Sequence, residues 1–315
     1  MRRALFILIS LLAYWSSSAQ DSINIYADLR FFPTTIKELG GNGPVKSVII
    51  SQQYWPKNDT LREVTKGTYY FDKKGLLIKE SLTGRAIQQT HDKDSLVYYY
   101  NYDSLGRFLS MCFWDGSCRN AIYDEQGNFI YYTSDSSEYG VPQSRRYYYD
   151  GKRHCTYDEY IPTIDEDYLE YGVMRHAYEH DALGHCTHEY EIVDGDTSYE
   201  RFCQYDIRGN ILSYGFFSKY GGGICTDYYH YNENDVLLKS EHYYNSQLHN
   251  TDLYEYNDQG QLIRITTYNE YGTISYSSEL LYDSFSSIVE YATYYYSQDG
   301  NRQLTYYSSY QYEYY

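Results

Sequence analysis

Histidine and cysteine side chains concentrate in one stretch of the chain and are the first candidates for chemistry. Four of the nine histidines lie within thirteen positions: His176, His180, His185 and His188. If residues 181–184 form a turn, His180 faces Cys186, while His176 and His188 share a sheet face. Three imidazoles and a thiol suit zinc, so His176, His180, His188 and Cys186 form one hypothetical metal site. The alternative is a degenerate repeat with ordinary hydrogen-bonded histidines, and for the protein as a whole we predict no cofactor.

The six cysteines allow arguments about pairing, because register fixes which side chains face each other. They are Cys112, Cys118, Cys155, Cys186, Cys203 and Cys225. A two-residue turn at Asp194 and Gly195 places Cys186 opposite Cys203, where a disulfide can form if the pair is not hydrogen-bonded. That bridge would exclude zinc at Cys186. A two-residue turn at 115–116 places Cys112 and Cys118 on opposite faces, so we predict that these two do not bridge.

Catalytic signatures are missing from the sequence. Carboxylates are plentiful, as in Asp165–Asp167, but they lie in turns and solvated runs. The sequence has no nucleophile elbow, no phosphate-binding loop and no spaced zinc-hydrolase motif. We therefore predict a protein that is not an enzyme.

Composition narrows the class of protein further. Among 315 residues, 47 are tyrosines, the formal net charge is -17, and the mean hydropathy is -0.68. Such a composition excludes a helical membrane protein and favours polar β-structure. The negative field makes nucleic acid a poor partner.

The N-terminus resembles an export signal. Arg2 and Arg3 precede an apolar run from Ala4 to Tyr14, and small residues follow at 17–19; this order is typical of a cleaved signal peptide. We predict a signal peptide at 1–19, a lead segment at 20–44 and a periplasmic or extracellular location. No later run reaches the roughly 20 apolar residues of a transmembrane helix.

One motif recurs about every 26 residues through the rest of the chain. It reads Tyr-(Asp/Asn)-x-x-Gly-x followed by a large apolar residue, with Phe replacing Tyr in the first copy. Asp or Asn suits the first position of a type I turn, and Gly suits the left-handed position that closes a three-residue hairpin loop. The predicted turn residues are Asp72, Gly75, Asp103, Gly106, Asp124, Gly127, Asp206, Gly209, Asn257 and Gly260. Degenerate copies start at Tyr149, His180, Tyr231 and Tyr282.

This turn fixes a register. Tyr102 should face Phe108 across the ladder, and the same arithmetic pairs each motif tyrosine with the apolar residue six positions later. Further β-rich runs lie between the motifs, so each unit should contain two antiparallel strands. We predict an all-β fold at 45–315, an antiparallel meander of repeated hairpins with about twenty short strands, coiled into a curved or spiral sheet.

The unit resembles the YD repeat, also called the rearrangement-hotspot (RHS) repeat, of bacterial toxin shells and animal teneurins. The resemblance covers about residues 70–300. It implies hairpins that wind into a hollow β-spiral, which in larger members encloses a toxin behind an autoproteolytic core segment. After Tyr282 this sequence continues with tyrosine-rich strands and shows no such core or toxin. The resemblance therefore implies a short exported member with a loosely carbohydrate-associated role, and not toxin activity.

Tyrosine runs such as Tyr98–Tyr100 must place aromatic rings on both sheet faces. One face should hold the apolar column, and the other should present tyrosines that can stack on sugars or on a protein. Alternatively, tyrosine serves only as a β-former. We predict a binding or scaffolding surface for cell-envelope polysaccharide or for a protein partner. Two rival hypotheses are a shell fragment related to toxin delivery and an outer-membrane β-barrel; the oligomeric state is undetermined.

Overall fold

A computed structural model describes residues 44–54, 63–84, 95–134, 144–150, 155–161, 174–193, 195–219 and 223–315. The signal peptide predicted at 1–19 and, apart from Pro44, the lead segment predicted at 20–44 lie outside these ranges. Within them, none of the regular structure is a helix with the length and apolarity needed to cross a membrane.

Every regular element in the described ranges is a β-strand, and the strands belong to one 20-stranded sheet. They are β1 (Val45–Tyr54), β2 (Glu63–Phe71), β3 (Leu77–Gly84), β4 (Ser95–Tyr102), β5 (Phe108–Phe113), β6 (Cys118–Tyr123), β7 (Phe129–Ser134), β8 (Ser144–Tyr149), β9 (Cys155–Ile161), β10 (Met174–His180), β11 (Cys186–Val193), β12 (Asp196–Tyr205), β13 (Ile211–Ser218), β14 (Ile224–Tyr231), β15 (Leu237–Tyr244), β16 (Gln247–Tyr256), β17 (Leu262–Asn269), β18 (Ile274–Tyr282), β19 (Ile288–Tyr296) and β20 (Arg302–Tyr314). Pairing is antiparallel between chain neighbours, as between β2 and β3. The prediction of an all-β meander is confirmed.

The chain divides into two compact units. The first contains the described residues between Pro44 and Cys118 together with Ser278–Tyr294 and Gln303–Tyr315. In it, β1 pairs with β2 on one side and with β20 on the other, so the first and last strands are neighbours. The second unit contains Arg119–Ser277 and Tyr295–Arg302.

The repeat turns explain why the motif needs Asp or Asn and Gly. The main-chain N–H of Asp72 donates to the Leu76 carbonyl (2.9 Å), and the Asp72 carboxylate accepts the N–H groups of Lys74 and Leu76 (2.8 and 2.9 Å). Gly75 then adopts a φ of 82°, which a side chain disfavours. The glycines of the other predicted turns adopt the same conformation: Gly106 at 81°, Gly127 at 82°, Gly209 at 82° and Gly260 at 74°.

A β-bulge follows each of these turns. Tyr70 pairs with Lys79, but Phe71 pairs with Leu77, which leaves Ile78 as an extra residue. The bulge shifts the alternation of faces by one position. Apolar residues that begin the strands after the turns are buried and form a column: Leu77, Phe108, Phe129, Leu237, Leu262 and Ile288.

The structure corrects the prediction for Cys112 and Cys118, which form a disulfide with a Cα–Cα separation of 4.1 Å. The hairpin loop has three residues, because the Phe113 N–H donates to the Ser117 carbonyl at 2.8 Å and Gly116 takes a φ of 87°. A three-residue loop places Cys112 directly opposite Cys118. The predicted two-residue turn was one residue too short, and a one-residue shift exchanges the faces of a strand.

Candidate functional site

Cys186 and Cys203 remain free thiols, so the disulfide allowed by the sequence is not formed. The turn between β11 and β12 pairs Val193 with Asp196, as the two-residue arithmetic requires. Ser198 then enters as an extra residue and shifts the register by one. Cys186 consequently no longer lies directly opposite Cys203. Burial raises the pKa of the Cys186 thiol to about 11, which keeps it protonated.

The predicted zinc ligands do not come together. His180 does pair with Cys186, but His188 pairs with Glu179 while His176 pairs with Glu191. An extra residue after the turn places His188 on the opposite face from His176, which contradicts the prediction that they share one. Across the described ranges, no group of three histidine, cysteine, aspartate or glutamate side chains is arranged to hold a metal ion.

His176 is instead bound between two carboxylates. Its Nδ1 lies 3.1 Å from Asp158 Oδ1, and its Nε2 lies 3.5 Å from Glu191 Oε2. Tyr178 donates to the other oxygen of Asp158 at 2.6 Å. The carboxylates come from β9 and β11, on either side of the histidine strand β10, so the cluster links three strands.

His242 repeats the same arrangement on β15, between carboxylates of the two neighbouring strands. Its Nδ1 lies 2.8 Å from Asp227 Oδ1 on β14, and its Nε2 lies 2.9 Å from Asp252 Oδ2 on β16. Burial alone would lower the pKa of His242, but hydrogen bonds and charge from both aspartates outweigh it and raise the pKa to about 10. His242 is therefore an imidazolium at neutral pH.

Ser240, His242 and Asp227 contain the groups of a serine-hydrolase triad, and the geometry shows why they do not act as one. Ser240 Oγ lies 3.2 Å from His242 Nε2, but that nitrogen is shared with Asp252 at 2.9 Å. A protonated histidine cannot accept the serine proton. Ser240 is also 0% exposed, so substrate has no access to it. The side chains of the cluster instead connect β14, β15 and β16 through hydrogen bonds.

Most of the described tyrosine side chains are at least partly buried, so fewer of them are available to a ligand than the predicted tyrosine-rich face requires. Among the tyrosines whose side-chain burial the structure describes, those more than about a third exposed are Tyr70, Tyr99, Tyr228, Tyr244, Tyr271 and Tyr315. Others bury their rings and bind internally, as Tyr100 does to Glu80 at 2.8 Å. Burial raises the pKa of Tyr282 and of Tyr310 to about 12. A tyrosine surface therefore exists only at particular places.

Tyr70 and Tyr99 form one such place, in the first unit, on either side of Lys79. The register pairs Tyr70 with Lys79 and Lys79 with Tyr99, so the three residues form a row across β2, β3 and β4. The ammonium of Lys79 lies 5.4 Å from the Tyr70 ring centre and 5.7 Å from that of Tyr99. These distances are those of cation–π contacts. We call these three residues the Tyr–Lys–Tyr row.

The row lies on the open face of the sheet. Tyr70 is 37% exposed and Tyr99 is 47% exposed, whereas their neighbours Phe71 and Tyr100 are buried. On the same face, the next pairs bring Thr68 opposite Ser81. Tyr99 pairs on its other side with Cys112, whose disulfide joins β5 to β6.

Chemically, the row combines two flat aromatic surfaces, a cation and nearby hydroxyl groups. All are carried by paired strands, which hold them in place before any ligand arrives. Sequence reasoning missed this site, although the tyrosines and Lys79 stand in the strands that it predicted. The pairing of Tyr70 with Lys79 follows from the repeat turn, but that of Lys79 with Tyr99 does not, because the sequence of residues 85–94 between their strands lacks the repeat motif.

Comparisons with known proteins give distant matches in structure only. No protein-family model matches the chain, and no curated protein matches it. A porin-like protein from Bacteroides uniformis shares 8% identity at a TM-score of 0.42, over 86% of this chain and 99% of that one. A porin-like protein from Bacteroides vulgatus shares 10% identity at a TM-score of 0.29, over 76% and 98%.

The structure of TcdB2-TccC3 without its hypervariable C-terminal region is also similar, with 10% identity and a TM-score of 0.31. That match covers 79% of this chain and 19% of the other, so this chain spans about a fifth of that molecule. With identities of 10% or less and TM-scores below 0.5, these matches carry no argument about function.

Proposed function

We propose that this protein is an exported, non-enzymatic β-repeat protein whose open sheet face binds polysaccharide of the cell envelope. The observation that carries the proposal is the Tyr–Lys–Tyr row, with Lys79 held 5.4 and 5.7 Å from two partly exposed rings. Sugar rings have apolar faces edged by hydroxyl groups. An exposed tyrosine offers both an apolar ring and a polar tip to such a ligand.

Two further features support this function. The signal-like segment at 1–19 supports export. The cluster of Ser240, His242 and Asp227 supports a non-enzymatic role. His242 is held by two carboxylates and cannot act as a base, and Ser240 is buried where substrate cannot reach it.

Binding to a panel of envelope polysaccharides tests the proposal. Purified protein should bind at least one polysaccharide, and replacing both row tyrosines by alanine (Y70A/Y99A) should remove that binding. Tyr228→Ala is the matched control, because Tyr228 is 44% exposed on β14 in the other unit. Circular dichroism must show that all variants keep their β-structure. Equal binding by wild type and the double variant would refute the proposal.

A protein partner is the second candidate, favoured by apolar side chains at the tips of repeat turns. Ile207 is 92% exposed, and Leu105, Leu183 and Phe285 are each more than half exposed. A protein that covered several of these turns would bury their apolar side chains, and such burial favours association. This candidate predicts binding to a protein that the Ile207→Ser variant weakens and the Y70A/Y99A variant does not.

A further inference from the structure

We infer that the ligand of the Tyr–Lys–Tyr row is an acidic sugar, a uronate whose carboxylate binds Lys79 while its ring packs on Tyr70 or Tyr99. This inference rests on the proposed polysaccharide-binding function. It specifies the class of polysaccharide, and it can fail while that function stands.

The first argument is the local charge. The chain as a whole carries -17, yet the hairpin of β2 and β3 carries Lys66, Lys73, Lys74 and Lys79. Lys66, Thr68 and Tyr70 alternate onto the same face of β2, so a second ammonium lies on the face that holds the row. Against Glu63, Asp72 and Glu80, these four lysines leave residues 63–84 with a formal charge of +1 in an acidic chain, and a local excess of cations favours anions there.

Two carboxylates of this hairpin accept hydrogen bonds from groups other than Lys79. The Asp72 carboxylate accepts two main-chain N–H groups of its own turn, from Lys74 and Leu76. Glu80 is buried on the other face and accepts a hydrogen bond from Tyr100. Within the described ranges, the Lys79 ammonium contacts the two tyrosine rings and forms no ion pair with a carboxylate.

The second argument is the chemistry of the cation. A neutral sugar offers Lys79 only uncharged hydroxyl oxygens, whereas a carboxylate brings an opposite charge to the same hydrogen bond and forms an ion pair with the ammonium. The flanking rings hold the ammonium in position, so little side-chain freedom remains to be lost on binding. In a uronate, the carboxylate can bind the Lys79 ammonium while the pyranose ring that carries it packs on a tyrosine ring.

The third argument is length. Tyr70 and Tyr99 stand two strands apart, and neighbouring strands lie about 4.8 Å apart, so the row is roughly 10 Å long. That distance exceeds one sugar ring. The ligand is therefore an oligosaccharide, with Thr68 and Ser81 beside the row to meet its hydroxyl groups.

Isothermal titration with matched ligands tests the inference. The probes are trimers of galacturonate, glucuronate and mannuronate, each compared with the same trimer after its carboxyl groups are reduced to alcohols. We expect the wild-type protein to bind at least one uronate about tenfold more tightly than its reduced form. Lys79→Gln should remove that preference while retaining the weaker binding of the reduced trimer. Lys219→Gln, in an exposed residue of the other unit, should change neither.

The outcomes separate the two proposals. Equal affinity for acidic and reduced trimers, or a preference that survives Lys79→Gln, overturns the uronate inference and leaves the polysaccharide function standing. Absence of binding to the trimers and to the whole polysaccharide panel overturns both. Melting curves of the variants identify a loss of binding that is caused by unfolding.

Discussion

The hydroxyl of Tyr256 donates a hydrogen bond of 2.8 Å to the main-chain carbonyl of Leu237. Leu237 begins the strand after the preceding repeat turn, at the bulge, where the ladder is interrupted. The same bond recurs between motif positions of successive repeats, from Tyr102 to Leu77 and from Tyr205 to Cys186, and Tyr312 on β20 forms it with Ile288. This relationship explains why the motif favours tyrosine over phenylalanine, because a buried carbonyl without a partner is costly.

Replacing Tyr256 by phenylalanine should therefore destabilise the protein. The ring stays in place, but the Leu237 carbonyl loses its donor, at a cost of about 1 kcal/mol. Urea unfolding measures the change. Tyr271→Phe is the control, because Tyr271 is 81% exposed and should show no comparable loss. Similar midpoints for the two variants would argue against the role of the hydroxyl.

Replacing a turn glycine should lower the stability of the protein through the backbone conformation alone, without a steric clash. Gly260 has a φ of 74°, and a Cβ added there would meet no atom within 4 Å. Gly260→Ala should then cost about 1 kcal/mol through the left-handed backbone, and Gly260→Asn should cost less because asparagine tolerates that region. Thermal melts of both variants test this order; equal losses would show that the backbone conformation is not the cause.

His242 should make stability depend on pH in the alkaline range. Its pKa is raised from 6.5 to about 10 in the folded protein, so its contribution is fully present below pH 6.5 and is lost as the pH rises towards 10. The urea midpoint of the wild type should fall between pH 7 and pH 10, and that of His242→Gln should fall less. Parallel pH profiles for the two proteins would contradict the assignment.

The disulfide between Cys112 and Cys118 should be detectable by thiol counting. Alkylation of the denatured, unreduced protein should modify the four free cysteines, Cys155, Cys186, Cys203 and Cys225. Reduction should expose the other two and lower the stability by about 2 kcal/mol, since the closed loop is short. Peptide mapping that found Cys186 joined to Cys203 would contradict the register described for β11 and β12.

Much of the fold follows from the sequence alone, because the repeat turn is local. Asp103 and Gly106 build their turn from residues within five positions of each other, so the motif predicts the loop, the register and the pairing of Tyr102 with Phe108 without knowledge of the rest. Repetition of that unit predicts an antiparallel meander. The apolar column follows as well, since strand alternation fixes which residues share a face.

Only the tertiary structure decided the features that depend on a single extra residue or on distant strands. One more residue in the loop brings Cys112 opposite Cys118, and Ser198 moves Cys186 out of line with Cys203. A bulge changes faces without a clear sequence signal, because its cost depends on packing around it. The Tyr–Lys–Tyr row requires the alignment of three strands, one of them reached through a connection that carries no turn motif. Its assembly is settled by the pairing of whole strands, in which the burial of one face fixes the register.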